Sequence, residues 1–232
     1  MSFTITRVLQ TLSPHVEQQV IDLAVSNLTD ISLLSIPPSN LMYPVYEVGM
    51  GAEIGVYLSH LGEGGDLKVE LILATDGQGD VVGFLMYLPV AGCPDACGVT
   101  YMTVSARHRR QGVARAMIGA MLQNYPHAGL SCTIEKVPYY EAMGFQVLAR
   151  RDNQVSMNTR GYAANGLMGT LNVAPIFESP MIQQLQHTLA QKHGSKAMAN
   201  AIKQIQRDYA RAEQRVEQFV KERLARKGSD TV

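Results

Sequence analysis

Alternating apolar and polar residues near the N-terminus predict a strand followed by a helix. Residues 3–8 alternate between the two classes, which is the period of a half-buried strand. Ser13 and Pro14 then indicate a helix start, with a capping side chain before a proline at the first helical position. The residues that follow predict one apolar helix face: Val16, Val20, Leu23, Ala24 and Leu28.

The middle of the chain predicts further strands and two more helices. Strands are indicated at 68–75, 81–90, 98–104, 129–134, 145–150 and 154–158. The first two form a hairpin across the Gly-rich turn at 76–80. Helices are indicated at 46–61, where glycines make the pattern less regular, and at 113–124. This order of elements predicts a mixed α/β sheet with helices on its faces.

After Arg160 the pattern changes. Residues 161–180 are rich in Gly, Ala, Asn and Pro, which indicates a linker or extended segment. We therefore expect a main domain over 1–160 and a helical extension over 181–232. One long helix is predicted over 195–226, where apolar residues step by four and three to form a heptad seam: Met198, Ile202, Ile205, Tyr209, Ala212, Val216 and Phe219.

The C-terminal segment is basic. Residues 178–232 hold 10 of the 20 Lys and Arg residues and 6 of the 20 Asp and Glu residues, so this segment is net +4 and the remainder net −4. Three arrangements agree with this pattern: a solvated helix, a helix packed on its own acidic domain, and a helix paired in a homo-oligomer. The sequence leaves all three open.

Composition restricts the class of protein. The formal net charge is zero and 17% of residues are charged, which argues against electrostatic binding of nucleic acid. No apolar run reaches the length of a membrane span, and no basic region followed by an apolar run begins the chain, so we expect a soluble, cytoplasmic protein with no membrane contact. Cys93, Cys97 and Cys132 lack zinc-ligand spacing, so we expect no metal site.

A candidate anion-binding loop connects a predicted strand to a predicted helix. Residues 109–114 read Arg-Arg-Gln-Gly-Val-Ala. The first backbone N–H groups of a helix are unpaired and lie at the positive end of its dipole, so a pyrophosphate can bind there. Gly112 and Ala114 let the backbone approach a ligand closely. Four of the ten cationic side chains before residue 177 also lie here: Arg107, Arg109, Arg110 and Arg115.

A second motif follows downstream, and together the two motifs resemble a known family. Arg109, Gly112 and Ala114 match the loop Arg/Gln-x-x-Gly-x-Gly/Ala, and Tyr140, Gly144 and Phe145 match the later Tyr-x-x-x-Gly-Phe. In this order and spacing they resemble the GNAT family of N-acetyltransferases, over residues 1 to about 160. The resemblance implies a mixed, mostly antiparallel central sheet flanked by helices, with the long C-terminal helix as an extension.

The resemblance also implies a cofactor, acetyl-CoA, and an amine acceptor. It assigns the diphosphate of coenzyme A to the loop and first helical turn: Arg109, Arg110, Gln111, Gly112, Val113, Ala114 and Arg115. It assigns the pantetheine arm to the backbone of the preceding strand: Met102, Thr103 and Val104. Tyr140 is the implied acid that protonates the departing thiolate.

The sequence departs from the family at the general base. Many relatives carry a glutamate on the strand before the loop, but residues 98–104 include no acid. Thr133 stands where the family often has asparagine, and Glu135 lies close to it. We therefore expect the amine to lose its proton to Glu135 or to ordered water.

Two functions follow as hypotheses. The first is an N-acetyltransferase that acts on a primary amine of a small molecule or protein. The second is a catalytically weak GNAT-fold module that the helix over 195–226 assembles into a homo-oligomer or a larger complex, for example a viral particle. A P-loop nucleotide-binding protein is excluded, because no Gly-Lys-Ser/Thr follows the loop.

Overall fold

A computed structural model describes residues 2–62 and 67–229 of the chain. The strands are β1 (Thr4–Val8), β2 (Glu70–Thr75), β3 (Val81–Ala91), β4 (Cys93–Val104), β5 (His127–Cys132), β6 (Gln146–Arg151), β7 (Gln154–Asn158) and β8 (Leu167–Met168). The helices are α1 (Pro14–Val25), α2 (Leu28–Ile31), α3 (Tyr43–Ser59), α4 (Val113–Leu122), α5 (Val137–Glu141), α6 (Ala174–Phe177), α7 (Pro180–His193) and α8 (Ser195–Ser229).

These strands form one mixed, mostly antiparallel sheet, which confirms the predicted fold class. The order across the sheet is β1-β2-β3-β4-β5-β7-β6, and β8 pairs with β3. Among the described residues, β4 and β5 are the parallel pair of this sheet. The predicted hairpin at 76–80 is also confirmed, because β2 pairs with β3 and the Asp76 carboxylate accepts from the N–H groups of Gln78 and Asp80 in the turn.

Helices cover both faces of the sheet, since successive strand residues point to opposite sides. The core below α1 and α3 contains Leu71 and Leu73 of β2. The core below α4 and the second half of α8 contains the intervening Ile72. A strand buried on both faces reads as a continuous apolar run, which explains the sequence of β2.

The long helix α8 packs on its own sheet. Its second half contacts β6 and β7, where Val216 is buried. Its first half contacts α7, where Met198 and Ile205 are buried with Ile182 and Leu189. Ile202 belongs to the same seam but is 42% exposed. The apolar residues of the heptad pattern thus pack within one molecule. Among the described residues, neither α8 nor another helix is long and apolar enough to cross a membrane.

Several boundaries differ from the predicted ones, for local reasons. β4 begins at Cys93, well before the predicted residue 98, because Gly92 has a φ of 81° and lets β3 turn directly into β4. The segment at 161–180 contains β8 and α6, and the Phe177 ring packs 5.5 Å from the Tyr46 ring. We propose that this segment and the helical extension form one folding unit with the main domain.

Shortening a buried residue of α8 tests this proposal. Val216→Ala should lower the free energy of unfolding by about 1–3 kcal/mol, because it leaves a cavity between α8 and the sheet. The control Ile202→Ala should cost much less, since Ile202 is exposed. Urea unfolding followed by circular dichroism measures both. A loss that depended on protein concentration would instead indicate packing between molecules.

Candidate active site

The parallel strands β4 and β5 separate after a short paired stretch. Residues 96–98 lie opposite residues 127–129. Beyond this stretch β4 continues beside β3 to Val104, while β5 continues beside β7 to Cys132. The facing edges therefore carry backbone N–H and C=O groups that have no strand partner among the described residues. This opening between β4 and β5 can receive an extended ligand.

A β-bulge bends β4 where the opening begins. Met86 of β3 lies opposite Tyr101, whereas Tyr87 lies opposite Val99, so Thr100 is the extra residue. A bulge bends its strand and changes the direction of the side chains next to it. β4 is therefore bent at the point where its pairing with β5 stops. Tyr101, just after the bulge, packs with the core below α1 and α3.

The loop after β4 leaves the N-terminus of α4 available to an anion. Gly112 precedes the helix with a φ of 85°, and Arg110 has a φ of 62°. Glycine adopts this left-handed conformation without strain. Among the described residues no side chain caps the first turn, and the Gln111 side chain folds back to donate to the carbonyl of Arg107. The first N–H groups of α4 therefore point outward at the positive end of the helix dipole.

The arginines of this loop divide into two kinds. The Arg109 guanidinium donates to the side chain of Asn27 and, at 2.8 Å, to the carboxylate of Asp30. It therefore ties the loop to the end of α1 and to α2. Arg110 and Arg115 are exposed and make no hydrogen bond or ion pair within the described residues. These two guanidinium groups are available to a phosphate.

Three adjoining cavities make one groove from α4 to the opening between β4 and β5. The first, of about 370 Å³, is lined by Arg110, Gly112, Val113, Ala114 and Arg115, among others. The second, of about 300 Å³, shares Val104, Arg109, Ala114 and Tyr139 with the first and adds Met102, Thr103 and Tyr140. The third, of about 50 Å³, shares Met102 and Tyr140 and reaches Val99 and Leu130. We call this the cofactor groove; it brings together the sequence-predicted residues other than Gln111 and Glu135.

Tyr140 lies in the wall of the cofactor groove. Its side chain is 8% exposed, and its ring packs edge-on against Tyr139 and Phe145 at 5.4 and 5.8 Å. Burial raises the pKa of Tyr140, and the neighbouring thiol of Cys132 adds to the effect. A phenol with a raised pKa stays protonated at neutral pH, which is the form that can donate a proton.

Residues 68–147 match a family model described as an acetyltransferase (GNAT) domain. This part of the chain is a GNAT domain. The matched region begins just before β2 and ends in β6, so it contains the opening, the loop and Tyr140. The family predicted from the two sequence motifs is thereby confirmed.

Solved structures of acetyltransferases resemble the fold around this GNAT domain. The PaiA N-acetyltransferase of Thermoplasma acidophilum, in complex with coenzyme A, aligns with a TM-score of 0.53 at 12% identity, over 68% of this chain and 98% of that chain. Ard1 of Thermoplasma volcanium aligns with a TM-score of 0.48 at 19% identity, over 68% of this chain and 97% of that chain. Nourseothricin acetyltransferase aligns with a TM-score of 0.35 at 21% identity, over 39% of this chain and 64% of that chain. Of these, the PaiA enzyme supports the fold. No curated protein matches the sequence.

Glu135 lies outside the cofactor groove of the GNAT domain. Its side chain is exposed, and its own backbone N–H and the Thr133 hydroxyl hold its pKa below the usual range. Such a carboxylate is ionised but is a weak base. The next residue, Lys136, turns into the groove and donates to the carbonyl of Asp30 at 2.6 Å. The structure therefore does not bring Glu135 and Tyr140 together.

A carboxylate that sequence reasoning missed lies on α3. Glu53 is half-buried, and its Oε1 accepts a 2.7 Å hydrogen bond from the hydroxyl of Tyr101, next to the bulge of the GNAT domain. Burial raises the pKa of Glu53, and the bond from Tyr101 offsets part of the effect. The available signal was an acid in the otherwise apolar stretch 48–58. Nothing in the sequence connects it with β4.

A fourth cavity, of about 210 Å³, adjoins the opening of the GNAT domain. It shares Val99, Leu130 and Ser131 with the cofactor groove and is also lined by Arg151, Ser156, Ala163, Ala164, Gly166 and Met168. The Ser131 hydroxyl is buried without a hydrogen-bond partner among the described residues. A buried hydroxyl of this kind is available to a ligand. We call this the small cavity.

The three cysteines are free thiols. Cys97 and Cys132 are buried, and burial raises the pKa of each to about 12. Because the thiolate is the reactive form, neither thiol is a nucleophile at neutral pH. Within the described part of the chain, no group of three His, Cys, Asp or Glu side chains is placed to hold a metal ion.

Proposed function

We propose that this protein is an N-acetyltransferase that moves the acetyl group of acetyl-CoA to a primary amine of a small molecule. The observation that carries the proposal is the cofactor groove. It runs from the uncapped N-terminus of α4 to the opening between β4 and β5. A ligand with an anionic end and a long, narrow arm fits this shape and polarity.

Acetyl-CoA has these properties, and the residues present fit it. The N–H groups from Gly112 to Arg115 suit its diphosphate, and the exposed guanidinium groups of Arg110 and Arg115 add positive charge. The unpaired edge of β4 at Met102–Val104 suits the amides of the pantetheine arm. The PaiA structure that supports the fold is a complex with coenzyme A.

The groove supplies what the reaction requires from the protein. Acetyl-CoA brings the thioester whose acetyl group is transferred. The free N–H groups of β4 are suited to polarise a carbonyl, as in an oxyanion hole. Tyr140 lines the groove beside Met102, and its protonated phenol can give a proton to a thiolate. The walls hold both partners in one orientation, which lowers the entropic part of the barrier.

The small cavity supports a small-molecule acceptor. Its volume of about 210 Å³ is below the roughly 300–1,000 Å³ of drug-sized sites, so it suits a compact amine. Met168 and Gly166 are part of its lining. The Ser131 hydroxyl and the Arg151 guanidinium can donate hydrogen bonds to oxygen atoms elsewhere in the amine substrate. The cavity meets the cofactor groove at Val99 and Leu130, where an amine would reach the acetyl group.

The C-terminal helix does not add support to the alternative of an assembly module. The seam residues Met198, Ile205 and Val216 already pack within the molecule. Assembly through this helix stays a prediction.

A charge introduced at the start of α4 tests the proposed cofactor site. Ala114→Asp should weaken acetyl-CoA binding by about tenfold to a hundredfold, because a carboxylate beside the diphosphate repels it. The helix itself should remain stable, since an acid in the first turn favours the dipole. Gly119→Asp is the matched control, because it adds the same charge at an exposed position of α4. Isothermal titration calorimetry measures both.

Two results would contradict the proposed function. If Ala114→Asp bound acetyl-CoA as tightly as Gly119→Asp, the diphosphate would not lie at α4. If the unmodified protein did not bind acetyl-CoA, or released no thiol with any of a panel of small amines, acetyl transfer itself would be rejected. Thiol release under saturating acetyl-CoA is the direct measurement.

A further inference from the structure

The groove lacks a base on β4, and the acid predicted nearby points elsewhere. Glu135 lies outside the groove, so the amine needs another proton acceptor. At neutral pH a primary amine is mostly protonated, with a pKa near that of lysine, and a protonated amine cannot attack a thioester. The base must therefore be sought on the elements around the opening.

We propose that Tyr101 and Glu53 form a proton relay that deprotonates the acceptor amine. This inference rests on the proposed function and names residues that neither the family motifs nor the sequence pattern include. Tyr101 is the catalytic residue of the pair, because it lines the opening. Glu53 acts through Tyr101 and does not touch the amine.

The position of Tyr101 carries the first step. It is the residue after the bulge at Thr100, and it lines the third cavity of the cofactor groove together with Val99, Leu130 and Ser131. Those three residues also line the small cavity. Tyr101 therefore lies where the proposed acetyl and amine sites meet. Its ring is held edge-on by Tyr57 at 6.2 Å.

The environment of Glu53 carries the second step. Its Oε1 accepts from the Tyr101 hydroxyl at 2.7 Å, whereas its Oε2 makes no hydrogen bond within the described residues and the side chain is only partly buried. A proton that reaches Glu53 can thus leave to solvent. The titratable groups that act on Glu53 are Tyr101 and Tyr57, and no Lys, Arg or His pairs with it in the part of the chain described here. Because no such cation stabilises the carboxylate, burial raises the pKa of Glu53.

The proton balance of the relay is simple. The ammonium nitrogen gives one proton to the Tyr101 oxygen as the Tyr101 O–H proton passes to Oε1 of Glu53. The products are a neutral amine, an unchanged phenol and a neutral Glu53 carboxyl group. The amine then forms its N–C bond as the C–S bond breaks, the nitrogen loses its extra proton to water, and the departing thiolate takes a proton from Tyr140.

Conservative variants of the 232-residue protein test the relay. Glu53→Gln and Tyr101→Phe should each lower kcat/KM by about tenfold to a hundredfold near neutral pH, with acetyl-CoA binding unchanged by calorimetry. The double variant should be no slower than the slower single variant, because the two groups act as one unit. Glu47→Gln, on the same helix but in none of the cavities described above, is the control and should keep full activity.

The pH profile separates a relay from a structural role. In the unmodified protein, kcat/KM should rise with pH as Glu53 loses its proton, and the raised pKa puts this limb above the range of an ordinary glutamate. Glu53→Gln should lack that limb. If Glu53→Gln kept both the rate and the limb while the unmodified protein transferred acetyl groups, the relay would be rejected and the proposed function retained. If Glu53→Gln failed to fold, an unchanged rate and limb in Tyr101→Phe would reject it equally.

Discussion

Replacing Tyr140 with Phe is expected to slow acetyl transfer by about 10²–10⁴-fold while acetyl-CoA binding stays unchanged. The ring packs edge-on against Phe145 and Tyr139, and phenylalanine keeps those contacts. Only the hydroxyl is lost, and with it the proton for the thiolate. Stopped-flow or steady-state thiol release gives kcat, and calorimetry gives the dissociation constant.

The matched control is Tyr209→Phe, which removes a hydroxyl from α8 at a distance from the groove. Because burial raises the pKa of Tyr140, the phenol should stay protonated through neutral pH and beyond. At pH values below about 10, ionisation of Tyr140 should therefore cause no decline in the kcat of the unmodified protein. Equal kcat values for Tyr140→Phe and Tyr209→Phe would remove Tyr140 from the role of acid.

The sheet and the loop could be predicted because their signals are local. β2 and β3 follow from two apolar runs separated by a turn whose Asp76 accepts backbone hydrogen bonds. α4 begins at Val113 as predicted, since Gly112 supplies the left-handed residue before it. The two motifs then identified the family, and the matched model confirms it.

The partners of individual side chains could not be predicted, because they come from distant parts of the chain. Nothing in the loop sequence predicts that the Arg109 guanidinium bonds to Asn27 and Asp30, about eighty residues earlier. Glu53 and Tyr101 are 48 residues apart and meet because α3 packs on the bulged strand. Such pairings depend on how helices lie on the sheet, which a single sequence does not specify.

The seam of α8 illustrates a different limit. Apolar residues in heptad steps indicate that one helix face is buried. The same residues are required whether that face packs on its own molecule or on a second copy. Here Val216 packs on the sheet. Two ion pairs also connect this helix to the main domain, one between Glu213 and Arg150 and one between Arg223 and Glu141. The periodicity predicted the buried residues Met198, Ile205 and Val216, but it also included the exposed Ile202 and could not specify what covers the face.

Replacing Glu70 with Ala is expected to destabilise the protein by about 3–5 kcal/mol, or a melting temperature lower by roughly 10 °C. Glu70 is 3% exposed on β2. It accepts from Arg7 at 2.6 Å, Tyr125 at 2.7 Å and Lys68 at 3.1 Å, so its loss leaves three donors without their acceptor and opens a cavity. Arg7 keeps some access to water, which favours the lower part of that range.

The pH dependence of this loss gives a second check. Burial alone raises the pKa of Glu70, but the hydrogen bonds from Tyr125, Arg7 and Lys68 outweigh it and hold the pKa below that of an ordinary glutamate. A carboxylate with a lowered pKa stabilises the native state above its unfolded pKa, and this contribution disappears as the pH falls through the native pKa. Urea unfolding of Glu70→Gln should therefore show a deficit at neutral pH that shrinks in acid. The exposed control Glu217→Gln should change stability by less than about 0.5 kcal/mol at either pH. A deficit independent of pH would mean that Glu70 stabilises the fold by packing rather than by its charge.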